Sequence, residues 1–183
     1  TPGISSAASD VYKRQYIGCS NLPSWQVVES QWISKSMGLN RFVSCQDEYN
    51  ILNRNVEAEL IPAMQKYGCG LLPYFPLASG LLTGKYKRTE MPEGARLTDM
   101  PTFANRIYLT DENFDIVDNL NEFAHKTGHS ILELAFGWMA SRPTTASIIA
   151  GATKPEQIDA NVAAVNWVLS QSEIDEVNKI SAR

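Results

Sequence analysis

The chain has 183 residues, 44% hydrophobic and 20% charged, with a formal net charge of −4 at pH 7. That length builds one ordinary core, and eleven Gly and nine Pro exclude collagen-like or low-complexity sequence. Mild acidity argues against a nucleic-acid partner, which asks for clustered Lys and Arg. No apolar run approaches the roughly 20 residues that span a bilayer, and residues 1–15 lack the apolar core of a signal peptide. Cys19, Cys45 and Cys69 are widely separated with no C-x-x-C spacing. They read as reduced thiols of a cytoplasmic protein, not as a disulfide or zinc framework.

Residues 1–15 are small and polar, without helical or strand period, and differ from everything after them. Tyr16, Ile17, Gly18 and Cys19 form a short apolar run that predicts a buried strand ending at Ser20-Asn21. Pro23 then stands near the first turn of a helix whose Trp25, Val28, Trp32 and Ile33 recur as an apolar stripe, read as packing, with Gly38 as its C-cap. Phe42 to Gln46 is a second strand. A second amphipathic helix carries Val56, Leu60, Ile61 and Met64 and closes near Gly68. Gly70 to Tyr74 is a third short strand, in which Pro73 has no N–H to donate.

Residues 85–110 are polar and have no clear period, and a connection that long is functional or mobile. Helices follow through Phe114, Val117, Leu120 and Phe123, and through Leu132, Ala135, Phe136 and Met139, separated at Gly128. Residues 146–150 form a fourth strand. Pro155 opens another helix, and Ser170 with Glu173 is a capping box for the last one. Strand and helix thus alternate four times before a terminal helix, the pattern of βαβ units and a parallel sheet. An open doubly wound sheet and part of a (β/α)8 barrel both satisfy it. A complete barrel needs about 250 residues and eight strands, so this chain has room for about half of one.

Both architectures place ligands at the carboxyl ends of the strands. Ser20 and Asn21 stand there, and an adjacent hydroxyl and amide suit a ligand amide, although both residues are also favoured helix N-caps. Gln46 ends the second strand in the same register. Asp47 and Glu48 follow it, but neighbouring strand residues point to opposite faces, so a solvated or backbone-capping role outweighs acid or metal chemistry. Residues 79–85, SGLLTGK, fail the P-loop spacing and have Tyr86 where Ser or Thr is required. Two glycines and a Lys there suit a looser phosphate cradle. Tyr74, between Pro73 and Pro76, is a rigid aromatic that either stacks on a flat ligand or fills the core. The turn at Gly151 is either an anion site or an ordinary cap. His125 and His129 flank the Gly128 break without a catalytic partner at any familiar spacing. No metal site is expected.

Four segments together, YIGCSN (16–21), CQDEYNILNR (45–54), PYFPLASGLLTGKY (73–86) and IIAGATKPEQIDAN (148–161), resemble the aldo-keto reductase family in order and spacing. The flavour is that of the branch similar to potassium-channel β subunits. The resemblance covers residues 16–183 and implies the C-terminal half of a (β/α)8 TIM barrel, with residues 1–15 as a non-family junction. It implies an oxidoreductase that reduces aldehydes or ketones with NADPH by hydride transfer. Ser20, Asn21 and Gln46 match the positions that hold the nicotinamide carboxamide, and Tyr74 the aromatic that stacks on the nicotinamide. Phe75, Pro76, Leu77, Ala78, Ser79 and Gly80 match the pyrophosphate segment, with Lys85 supplying charge. Arg96 matches a contact to the 2′-phosphate side, and Gly151, Thr153, Gln157 and Asn161 match the grip on adenosine. Ala160 stands where a Glu often precedes the final Asn, which loosens that grip.

Family catalysis uses a Tyr, a Lys, an Asp and a His from the first four barrel strands, so no catalytic residue is expected here. Asp10, Tyr12 and Lys13 reproduce neither the spacing nor the placement of that set. Half a barrel leaves its first and last strands with unpaired edges, which favours dimers or aggregates. Three functions remain open: the cofactor-binding part of a reductase, a non-catalytic nucleotide-bound regulatory module, or a non-functional truncated product.

Overall fold

Short apolar runs, each followed by a capped helix, set the chain order. The computed structural model describes residues 15–99 and 107–182. The expected junction segment, with Asp10, Tyr12 and Lys13, lies outside the described residues except for Gln15, as does part of the long polar connection.

Strands β1 (Ile17–Ser20), β2 (Phe42–Gln46) and β3 (Gly70–Leu71) form a parallel sheet in that order, within an α/β fold. Cys19 stands opposite Cys45, Ser20 opposite Gln46, and Cys45 opposite Leu71, so the strands end at one level. Gly18 is required for that approach: a Cβ there would lie 2.4 Å from Ser44 Oγ.

The expected fourth strand is not a regular one. Its segment does run beside β3, with Leu71 N donating to Thr144 O at 2.7 Å, Ala146 N to Leu71 O at 2.8 Å and Ile149 N to Pro73 O at 2.9 Å. Pro73 donates nothing and ends β3 after two residues, so the ladder on this side is interrupted. Tyr74 meets β2's continuation through a single bridge to Glu48.

Helices α1 (Ser24–Met37) and α2 (Leu60–Tyr67) stop where Gly38 and Gly68 adopt the left-handed conformation, both at φ 66°. The expected second helix is split, with a 3-10 turn at Asn55–Glu57 ahead of α2. A four-residue helix, α3 (Arg96–Asp99), interrupts the polar connection. Then come α4 (Asp111–Lys126), α5 (Ile131–Ala140), α6 (Pro155–Ala164) and α7 (Gln171–Ile180). The Ser170–Glu173 capping box forms as expected, and Ser130 with Glu133 makes another at α5. Among the described residues no helix is long and apolar enough to cross a membrane.

Helix α5 is apolar nearly all round and lies at the centre of the core, with Leu134, Ala135, Trp138 and Met139 fully buried. Gly137 lets the next segment approach, since a Cβ there would stand 2.6 Å from both Trp167 O and Leu169 Cδ1. Asn178 of α7 ties the C-terminal helix to this core. Its side-chain oxygen accepts from Trp138 Nε1 at 3.2 Å, Arg142 Nη2 at 2.8 Å and Arg54 Nη1 at 3.0 Å.

The aromatic stripe of α1 is not packing. Trp25 is 62% and Trp32 58% exposed, while Val27 and Gln31 are buried. Helix α1 leans on α2, and Gln31 Nε2 reaches back to Phe42 O at 2.8 Å, so the stripe is turned to solvent.

Candidate cofactor site

The common strand ends gather a polar cluster. Asn21 follows β1 in the left-handed region at φ 55°, a conformation Asn tolerates better than most residues. Its backbone N–H donates to Gln46 O at 3.3 Å and its Nδ2 to Ser20 Oγ at 3.1 Å, while Ser20 Oγ donates to Gln46 O at 2.7 Å. Tyr74 OH donates to Asn21 Oδ1 at 2.8 Å. Ser20, Asn21, Gln46 and Tyr74 therefore stand together at one mouth, with Ser20, Asn21 and Gln46 exposed. Burial, then the neighbouring Glu48 and Asp47, push the Tyr74 hydroxyl above its ordinary value, so it stays a neutral donor.

Beside this cluster the backbone of residues 75–80 is wound against its grain. Phe75 (φ 52°), Ala78 (φ 48°), Ser79 (φ 58°) and Gly80 (φ 99°) all have positive φ. Each non-glycine residue held so costs of order 1–2 kcal/mol. Local bonds offset that cost: Asn50 Nδ2 to Phe75 O at 3.0 Å, Ala78 N to Phe75 O at 2.9 Å, Gly80 N to Leu77 O at 2.8 Å, and Thr83 Oγ1 to Gly80 O at 2.7 Å. Pro76, Ala78, Leu81 and Leu82 anchor the loop in the core. Gly80 leaves a gap that Lys85 occupies, because a Cβ there would lie 3.3 Å from Lys85 Cε and 3.5 Å from its Nζ. The Arg96 guanidinium lies 5.1 Å from the Phe75 ring centroid. Among the described residues neither Lys85 nor Arg96 joins an ion pair. Two cations, Lys85 and Arg96, thus stand beside these backbone reversals.

The last turn is simpler. Gly151, Thr153 and Gln157 are exposed, and Gln157 Oε1 accepts from Thr153 N at 2.7 Å and Lys154 N at 3.3 Å. The Gln157 side-chain oxygen thus caps α6. Asn161 lines an apolar groove between α5 and α6 instead of joining that turn's bonds.

Sequence reasoning missed Asn50, which organises the site from beneath. Its Oδ1 accepts from the N–H groups of Leu52 and Asn53, both at 2.9 Å, while its Nδ2 holds the strained loop. Its only signal was a polar residue ahead of an apolar pair. Asp47 is buried, not solvated. Burial raises its carboxyl above the ordinary value, and the Asn21 backbone N–H offsets part of that. Glu48 accepts from Asn53 Nδ2 at 2.9 Å and from the Tyr108 hydroxyl, so it is a strut. His129 stacks on Trp167 with centroids 3.9 Å apart. This assembly offers donors, acceptors, an aromatic ring and positive charge.

The aldo/keto reductase family model matches residues 13–182. A probable voltage-gated potassium channel subunit beta from Oryza sativa subsp. japonica is 35% identical over 170 residues, 90% of this chain and 52% of that protein. Protein tas of Escherichia coli K12 is 30% identical over 168 residues, covering 92% of this chain and 48% of its own length. Versiconal hemiacetal acetate reductase of Aspergillus parasiticus is 32% identical over 176 residues, 93% of this chain and 50% of that enzyme. The chain spans about half the length of the curated relatives it matches. With a family match over nearly all of its residues, the chain belongs to the aldo/keto reductase family.

Proposed function

We propose that this chain is the cofactor-binding half of a cytoplasmic, NADPH-dependent reductase of aldehydes or ketones, and that it lacks the proton-donating set. The observation that carries the reading is the strained loop of residues 75–80, with the Gly80 gap filled by Lys85 and with Arg96 over Phe75. Residues held in such conformations cluster at ligand clamps and active sites.

The residues fit a phosphorylated dinucleotide in the order of its parts. Ser20, Asn21 and Gln46 hold the carboxamide, and Tyr74 lies against the nicotinamide ring. Phe75, Pro76, Leu77, Ala78, Ser79 and Gly80 wrap the pyrophosphate, with Lys85 beside it and Arg96 toward the 2′-phosphate. Gly151, Thr153, Gln157 and Asn161 meet the adenosine end. NADPH, when bound, supplies the hydride. The chain's own share is to fix ring orientation: Tyr74 is braced on Asn21, and Asn21 on Ser20 and Gln46, so the stacking face is set before the ligand arrives. General acid catalysis, about 10²–10⁴-fold in rate, belongs to four further βα units of a complete (β/α)8 barrel.

Titrating the chain with NADPH and following nucleotide fluorescence tests the reading. Saturable binding with no NADPH oxidation in the presence of an aldehyde supports it. Steady oxidation overturns the division of labour. The channel-subunit names of several relatives favour a second reading, a nucleotide-bound regulatory module. It predicts binding without reductase activity even in a full-length protein.

A further inference from the structure

The cofactor reading uses none of the three cysteines, yet two of them touch. Cys19 of β1 and Cys45 of β2 stand opposite each other in register, and their sulfurs are 3.5 Å apart. Cys69 is held elsewhere. Its thiol donates to Phe42 O at 3.4 Å and accepts from Gln31 Nε2 at 3.2 Å. Leu71, two residues on from Cys69, stands opposite Cys45. That offset is about 6.6 Å along a strand, which takes the Cα atoms of Cys45 and Cys69 beyond the roughly 7 Å that a disulfide spans.

Cys19 and Cys45 fall inside that limit, because neighbouring strands lie about 4.8 Å apart and bridged Cα atoms about 4.4–6.8 Å apart. Side-chain rotation alone then brings their sulfurs into bonding distance. Side chains alternate along a strand, so this pair faces away from the side on which Ser20 and Gln46 stand. Burial pushes both thiols above their ordinary value, and Asp47 adds to this in smaller part. Thiols so raised are protonated at neutral pH and react slowly. What the contact supplies is a partner: once either sulfur is oxidised, the second already touches it.

We propose that Cys19 and Cys45 are a site of oxidative modification, closed to a disulfide by hydrogen peroxide. In the first step one sulfur attacks the peroxide, an S–O bond forms as the O–O bond breaks, and water leaves. In the second, the other thiol attacks that sulfenic sulfur. The S–S bond forms, the S–O bond breaks, and the oxygen leaves as water with the thiol proton. Two thiols are oxidised by two electrons, and one peroxide is reduced to two waters. The product ties β1 to β2 directly behind Ser20 and Gln46, and closes a loop that contains α1. This modification does not rest on the cofactor reading.

Trypsin separates the three thiols, leaving Cys19 in residues 15–35, Cys45 in residues 42–54 and Cys69 in residues 67–85. The folded wild-type chain is treated with hydrogen peroxide, its remaining thiols are alkylated, and the digest is read by mass spectrometry. The expected product joins residues 15–35 to residues 42–54 within one copy, leaves Cys69 alkylated, and disappears with dithiothreitol. Oxidation also raises the urea midpoint of the wild type and of Cys69→Ser, and leaves that of Cys19→Ser unchanged. In a chain unfolded in urea before oxidation, Cys69 enters the linked products. The same single link formed at the same rate in urea overturns the proposal, because the contact then directs nothing. A link to residues 67–85 in the folded chain overturns it, as do links only between copies. So does a pair left as thiols at every dose, or one carried only to sulfinic acid. The peptide map uses the wild-type chain, so it decides even where a serine variant does not fold.

Discussion

The hydroxyl of Tyr74 donates to the Asn21 side-chain oxygen at 2.8 Å, joining the end of β1 to the segment after β3 across the mouth of the site. Tyr74→Phe keeps the ring and removes this brace, at a cost of about 0.5–1.5 kcal/mol in stability. NADPH affinity in that variant stays within about threefold of wild type. Tyr74→Ala removes the stacking face, worth about 0.5–1.5 kcal/mol, and lowers affinity about threefold to tenfold. Paired denaturant melts and fluorescence titrations separate the two effects.

Gly80 holds φ 99° and leaves room for Lys85. Gly80→Ala adds backbone strain of about 1–2 kcal/mol and pushes the Lys85 side chain away from the loop. The expected result is a lower melting temperature and weaker NADPH binding, with NADPH affected more than a nucleoside that lacks the pyrophosphate. Calorimetry on both ligands reads the difference.

Asn178 receives donors from Arg54, Trp138 and Arg142; Arg54 Nη1 also reaches Ser181 Oγ at 3.2 Å, so Trp138 and Arg142 lose most when Asn178 goes. Asn178→Ala leaves buried donors unpaired, at about 1–3 kcal/mol. Urea melts give the loss directly, and ligand affinity in the folded fraction is unchanged.

Two carboxyls give opposite pH signatures. Burial works against ionisation of Glu57, but hydrogen bonds from Arg54 and Tyr49 outweigh it and hold the carboxyl below its ordinary 4.5. Its contribution is present above about pH 4.5 and is lost as pH falls through the folded value. Glu57→Gln therefore flattens the acid limb of the stability curve. Burial raises Asp47 above its ordinary 3.8, so the fold favours the neutral form and stability falls as pH rises through the raised value. Asp47→Asn removes the buried charge and raises stability at pH 7 with little change at pH 3. Denaturant melts from pH 3 to pH 8 on both variants read these slopes.

The sheet and the terminal caps were legible because their signals are local. Short apolar runs, Gly38 and Gly68 after amphipathic stretches, and the Ser170–Glu173 box each report on a few neighbouring residues. The fourth extended segment was legible as a position but not as a regular strand, since its irregularity follows from Pro73 on the neighbouring chain segment. The stripe through Trp25 and Trp32 was legible as a stripe only. Period says that one face is apolar, not what covers it, and here Val27 and Gln31 take the inner face. At the site, strand-end geometry foretold the grouping of Ser20, Asn21, Gln46 and Tyr74. The positive φ at Phe75, Ala78 and Ser79 left no trace in composition, because Asn50 and long-range burial enforce it.

The most direct measurement is a titration of the purified chain with NADPH, read by nucleotide fluorescence and repeated with a simple aldehyde present. The account predicts saturable binding that Tyr74→Ala and Gly80→Ala both weaken, with no consumption of NADPH. Absence of saturable binding by a folded chain, or steady NADPH oxidation by it, contradicts the assignment of a cofactor-holding half without a proton donor.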